Sequence, residues 1–163
     1  MKRFLLALVL ACTLSAPAWA GIDEGWAAYE RGDYKTAYHE FRPLAEQGDA
    51  AAQFYLGFMY ETGHGVAQDD AEAVKWYRRA AEQGDADAQN NLGRMYEYGE
   101  GVAQDYVQAH MWYSLAASRL PSGDERDETV KNRDIVEKRM TPAQVAEAQK
   151  LAREWRPKAQ AEN

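Results

Sequence analysis

The sequence predicts an all-α fold, an α-solenoid of about four antiparallel helix pairs, and three observations predict it. Residues 46–81 and 82–117 are identical at 23 of 36 aligned positions without a gap, a period that fits a two-helix repeat. Within one unit, Ala52, Leu56, Met59 and Tyr60 fall at helical spacing, and so do Ala73, Trp76, Tyr77 and Ala80. Both helices of a unit bear matching start and stop signals.

In chain order, residues 1–20 have the three parts of a secretory signal: basic Lys2 and Arg3, an apolar run from Phe4 to Leu14, and a small-residue end at Ala18-Trp19-Ala20. Cleavage is expected after Ala20, which places the mature protein in the periplasm or outside the cell. The single cysteine, Cys12, lies inside this segment, so export brings no disulfide and stability rests on packing. Lipidation of Cys12 is the alternative to ordinary cleavage. The apolar run is too short for a permanent span, and no stable membrane insertion is expected after cleavage.

Residues 21–45 read as a shorter first pair, with Trp26 and Tyr29 on one helix, a Gly32-Asp33 turn, then Tyr34, Ala37, Phe41 and Leu44 on the next. The two full units occupy 46–117. In each, Gly48 or Gly84 fits the position just past a helix end, and Asp49 or Asp85 fits the N-cap of the next helix. Asp69 with Glu72, and Asp105 with Gln108, have capping-box spacing for the second helix. The glycine pairs 63/65 and 99/101 suit a loop that visits positive φ between the two. Mid-helix Gly57 and Gly93 each cost about 1 kcal/mol against alanine, which points to close helix approach. Residues 118–126 read as a polar loop. Residues 127–156 read as a capping pair, with helices over 129–140 and 142–155 and a strong start at Thr141-Pro142-Ala143-Gln144. Residues 157–163 form a tail.

The chain carries 19 basic and 26 acidic side chains, a net charge of −7, and losing Lys2 and Arg3 takes it to about −9. An acidic surface without a basic, aromatic-interleaved stripe argues against nucleic acid as a partner.

The motifs Ala-x-x-x-Leu-Gly-x-x-Tyr, Gly-x-Gly-Val and Ala-x-x-Trp-Tyr-x-x-Ala-Ala, seen over residues 46–117, resemble the Sel1-like repeat family, relatives of the tetratricopeptide repeats. The stretch 22–45 is similar to a plainer tetratricopeptide-type unit. Residues 139–155 resemble the C-terminal cap of exported bacterial members. The resemblance implies a right-handed α-solenoid that holds proteins or peptides. It also includes cysteine-rich members credited with penicillin binding or β-lactamase activity, from which this chain departs by having no mature cysteine.

Residues that repeat in both units answer to the scaffold, and those that differ are free for function. On the first helix of a unit the differing positions form one stripe: Ala51, Phe54, Tyr55, Phe58 and Thr62, then Asp87, Asn90, Asn91, Arg94 and Tyr98. The resemblance puts first helices on the concave side. Phe54, Tyr55, Phe58, Asn90, Asn91, Arg94 and Tyr98 are therefore the candidate binding residues, with the aromatics exposed for a protein or peptide partner. The alternative is that Phe54 and Phe58 pack on the first pair. On the second helix, Ala71, Val74, Lys75, Arg78 and Arg79 read as a solvated face. Val107, His110, Met111, Ser114 and Leu115 are too apolar for open solvent, so segment 119–126 or a partner is expected to cover them.

No catalytic residue, metal ligand or cofactor is expected. His39, His64 and His110 are scattered without carboxylates or cysteines at ligand spacing, and His64 reads as a solvated loop residue. Glu61 and Glu97 stand one period apart, which assigns them a structural role in each unit rather than acid–base work. Ser114, Ser118 and Ser122 lie in no nucleophile motif. The leading reading is an exported scaffold or adaptor. The alternatives are a cell-wall-active enzyme of the β-lactamase or penicillin-binding type, and a cell-wall glycan binder using Trp76 and Trp112.

Overall fold

A computed structural model describes residues 18–158, with side chains described from Gly21. The expected signal segment up to Pro17, with Cys12, and the tail from residue 159 lie outside the described residues. The expected cleavage point after Ala20 falls in the first turn of the first helix. Eight helices follow in order: α1 (Ala18–Glu30), α2 (Tyr34–Glu46), α3 (Ala50–Thr62), α4 (Asp70–Gln83), α5 (Ala86–Tyr98), α6 (Tyr106–Arg119), α7 (Asp124–Glu137) and α8 (Pro142–Glu154). Each of α1 to α6 packs on its neighbours in sequence, which makes three stacked helix pairs.

The predicted punctuation sets the helix ends. Asp49 and Asp85 each accept from the backbone N–H three residues on, at 2.8 Å, and Asp69 and Asp105 cap α4 and α6 in the same way. Gly48 and Gly84 take φ near 100°, in the left-handed region where a Cβ would be strained. Gly65 and Gly101 add a steric reason for glycine. A Cβ on Gly65 would strike the Tyr34 carbonyl, and one on Gly101 the Asp70 carbonyl. Each loop therefore seats on the start of the preceding pair's second helix.

Mid-helix Gly57 and Gly93 sit under aromatic rings. A Cβ at Gly57 would lie 2.8 Å from Tyr77, and one at Gly93 2.9 Å from Tyr113. The first pair follows the same rule with Gly25 under Phe41, at 2.5 Å. Gly25 and Phe41 are four residues closer in sequence because the α1–α2 turn has three residues where the α3–α4 loop has seven. The plainer first unit is thus a full scaffold unit with a shortened loop.

The core falls into two clusters. One gathers Ala28, Ala37, Phe41, Ala45, Ala52, Leu56 and Met59 between α1 and α3, and the other runs from Ala73 on α4 to Val136 on α7. Buried glutamines tie the layers together. Gln53 Nε2 donates to the Ala45 carbonyl and Gln89 Nε2 to the Ala81 carbonyl, both at 3.0 Å.

The C-terminal part departs from expectation in two ways. Helix α7 begins at Asp124, inside the expected polar loop, because Asp124, Glu125 and Asp127 in its first turn suit the positive end of the helix dipole. The loop shrinks to residues 120–123. Second, α7 and α8 do not pack as a pair: each lies on α6 and they scarcely touch. Helix α6 draws both because eight nearly consecutive side chains, from Ala109 to Ala117, are buried, so burial is not confined to one of its faces. His110, Met111 and Leu115 are buried on the helix that α7 and α8 cover, and α7 itself begins inside segment 119–126. His110 Nε2 meets Glu137 Oε2 of α7 at 2.9 Å.

Candidate functional site

The first helices of the first two pairs enclose an apolar pocket of about 370 Å³ lined by Trp26 and Tyr29 from α1 and Phe54, Tyr55 and Phe58 from α3. Positions 54, 55 and 58 share one helix face by periodicity, and Trp26 and Tyr29 share the opposing face three residues apart. Trp26 stacks on Tyr55 at 5.3 Å and on Tyr29 at 5.8 Å between ring centroids, and Phe58 tilts against Tyr29 at 6.1 Å. Trp26 is 41% exposed.

Phe54, Tyr55 and Phe58 are half-buried walls and not the exposed aromatics that the stripe predicts. Tyr55 stacks on Phe41 at 4.8 Å and Phe54 leans on Tyr77 at 5.9 Å, so each has a scaffold side and a pocket side. Burial, then the negative charges of Asp87 and Asp85, hold the Tyr55 phenol above its ordinary value. Burial, then Tyr34, does the same to Tyr29.

The α5 half of the stripe is differently employed. Asn90 Oδ1 accepts from the Thr129 hydroxyl of α7 at 3.1 Å, and Asn91 is half-buried beside the Tyr77 phenol. The Arg94 guanidinium donates to both Glu61 and Glu100. Tyr98 alone of these four is freely exposed, at 58%. The seven predicted residues therefore split into three pocket walls, three internal connectors and one surface tyrosine.

Sequence reasoning placed Trp26 and Tyr29 on a helix but left them out of the groove. The missing signal was the four-residue shortening of the first loop. Allowing for it sets Gly25 against Gly57 and Trp26 against Phe58. His64 corrects another expectation. It is not a solvated loop residue: its ring stacks on Tyr34 at 4.1 Å and its Nδ1 meets the Tyr29 hydroxyl at 2.6 Å, buttressing one pocket wall. The face read as solvated on α4 is mixed, since Val74 is buried and Arg78 donates to the Tyr96 hydroxyl at 2.7 Å.

Glu61 and Glu97 act in each unit alike. Each accepts the phenol of its own unit's tyrosine, Tyr77 at 2.7 Å and Tyr113 at 3.0 Å, and each receives an arginine from farther along, Arg94 and Arg139 respectively. Burial, then the adjacent carboxylate, pushes both phenols far up. Trp112 is 6% exposed and packs edge-on against Trp155, and Trp76 is half-buried with Arg79 over its ring at 4.4 Å. Neither offers the open face that sugar stacking needs. Among the described residues no cluster of three or more His, Cys, Asp or Glu is placed to hold a metal, and no helix is long and apolar enough to cross a membrane.

Three stacked helix pairs, a glycine under an aromatic ring in each and an aromatic pocket between first helices define a helical-repeat protein of the kind that mediates protein interactions. The Sel1 repeat model matches residues 50–85 and 86–119, and the chain belongs to the Sel1 repeat family. A Sel1 repeat protein from Oxalobacter formigenes, of known crystal structure, is 36% identical with a TM-score of 0.61, over 71% of this chain and 88% of that one. A protective antigen of uropathogenic Escherichia coli displaying an SLR fold is 37% identical with a TM-score of 0.78, over 86% of this chain and 30% of that one. A negative regulator of exopolysaccharide production from Rhizobium leguminosarum bv. viciae is 42% identical over 53 residues, 32% of this chain and 20% of the regulator. The chain thus matches about a fifth of that curated relative's length.

Proposed function

We infer that this chain is an exported, periplasmic adaptor that holds a protein or peptide segment against the concave side formed by its first helices, and that it acts by positioning partners without chemistry of its own. The observation that carries the reading is the pocket of Trp26, Tyr29, Phe54, Tyr55 and Phe58, a concave apolar site on a repeat scaffold of an interaction family. Aromatic walls of this kind supply large contact area at small entropic cost. Export rests on the leader-like residues 1–20. The likeness to the exopolysaccharide regulator covers 53 residues, a fifth of that protein, so its regulatory role is not carried over here.

The test is cross-linking and pull-down from a periplasmic extract, read by mass spectrometry, comparing the protein with Trp26→Ala. Trp26 is chosen because it is the most exposed wall, so its loss opens the pocket while far-UV circular dichroism stays the same. A partner captured by the parent and lost by the folded variant supports the adaptor. Identical captures by both would remove the pocket from the function.

A further inference from the structure

The surroundings of the pocket are charged on both sides, and with one sign. On α1, Asp23 and Glu30 are exposed and stand three residues before and four after Trp26, which puts them on the helix face that walls the pocket. On the α5 side, Asp85 and Asp87 bear on Tyr55, and the carboxylate of Asp87 stands beside Glu125 of α7, with Glu128 close by. The cation of the α5 stripe, Arg94, is already divided between Glu61 and Glu100. An acidic segment docking here would meet carboxylates at either end. A second copy of the chain would bring its own net charge of −7.

Building on the groove reading above, we propose that the pocket's occupant is a basic peptide segment, in which one aromatic or branched apolar side chain enters the pocket and flanking lysines or arginines pair with Asp23 and Glu30 on one side and Asp87 and Glu125 on the other. The apolar lining takes the anchor, and the aromatic rims favour cations lying beside it. Asp87 and Glu125 repel one another in the free protein, and an incoming cation relieves that repulsion.

Three dye-labelled peptides test this by fluorescence anisotropy: Lys-Lys-Gly-Phe-Gly-Lys-Lys and its counterparts with Ser or Glu in place of every Lys. The lysine peptide should bind at least about tenfold more tightly than the serine one, with an affinity that falls as salt rises. The double variant Asp87→Asn, Glu125→Gln should weaken it about fivefold, and Trp26→Ala should weaken all binding, with helicity unchanged in both. Equal binding of the serine or glutamate peptide would overturn the charge preference and leave the groove standing. Lysine-peptide binding that survives Trp26→Ala unchanged would mean attraction to a diffuse acidic surface and overturn the proposal. If none of the three peptides binds, the groove reading falls with it.

Discussion

The second and third helix pairs are built on the same frame and present opposite surfaces. In both, a glycine lies under a tyrosine ring, a glutamate accepts that tyrosine's hydroxyl, a glutamine holds the preceding helix's last carbonyls, and an aspartate starts each helix. Yet the face that offers Phe54, Tyr55 and Phe58 in one offers Asn90, Asn91 and Arg94 in the next. The difference teaches that this frame tolerates a complete change of face chemistry, because the frame residues meet their needs among themselves. The two faces also have different employers. The aromatic one walls a pocket, and the polar one binds the next layer through Thr129 and the previous one through Glu61.

The largest test of that equivalence is Gly57→Leu beside Gly93→Leu. Each drives a side chain into a tyrosine ring at nearly the same distance, so each should lose about 3 kcal/mol in urea denaturation. A marked inequality would break the claim of one frame. Next in size, Tyr113→Phe should cost about 2 kcal/mol and Tyr77→Phe about 1 kcal/mol. The order follows from Glu97 being 3% exposed, where a lost hydrogen bond is not replaced by water, while Glu61 is 24% exposed. Arg94→Met should lower stability by about 1 kcal/mol at low salt and less at high salt, since its carboxylate partners are partly solvated.

The smallest effect belongs to Glu125. Hydrogen bonding to Asp87 and then the charge of Asp87 hold its carboxyl above the ordinary value. With the folded pKa above the unfolded one, the penalty is absent at low pH and appears as the pH rises through the carboxylate range. Glu125→Gln should therefore raise the melting temperature slightly at pH 7, and the gain should vanish below about pH 4. A gain that persists at pH 3 would sever the link to ionisation.

Much of the frame was legible because the chain prints it twice. The caps, the positive-φ glycines and the mid-helix glycines all follow from residues that recur at 36 positions' remove. The first pair was harder to place, since its shortened turn shifts Gly25 and Trp26 out of register with Gly57 and Phe58. That shift hid two of five pocket walls. The α5 residues misled for another reason: composition could not reveal that Arg94 is consumed by Glu61, which precedes it by 33 residues, and Glu100. His64 was misplaced because its partners, Tyr29 and Tyr34, lie in a different pair. The splayed α7 and α8 reflect how much of α6 is apolar, which a helical stripe analysis of one unit does not disclose.

The glutamate handed from unit to unit has a consequence for how such a chain can grow. Glu61 depends on an arginine that its own unit does not contain, and Glu97 would be left almost buried and uncompensated if Arg139 were missing. A tandem duplication of residues 82–117 keeps every donor matched: the original Glu97 meets the new copy's counterpart of Arg94, and the new copy's glutamate meets Arg139. Deleting the same 36 residues instead removes nearly all of α6, the helix on which α7 and α8 both lie, and with it the seat of Arg139. Lengthening by a whole unit is thus an electrostatically neutral move, while the terminal helices remain tied to whichever unit supplies the last copy of α6.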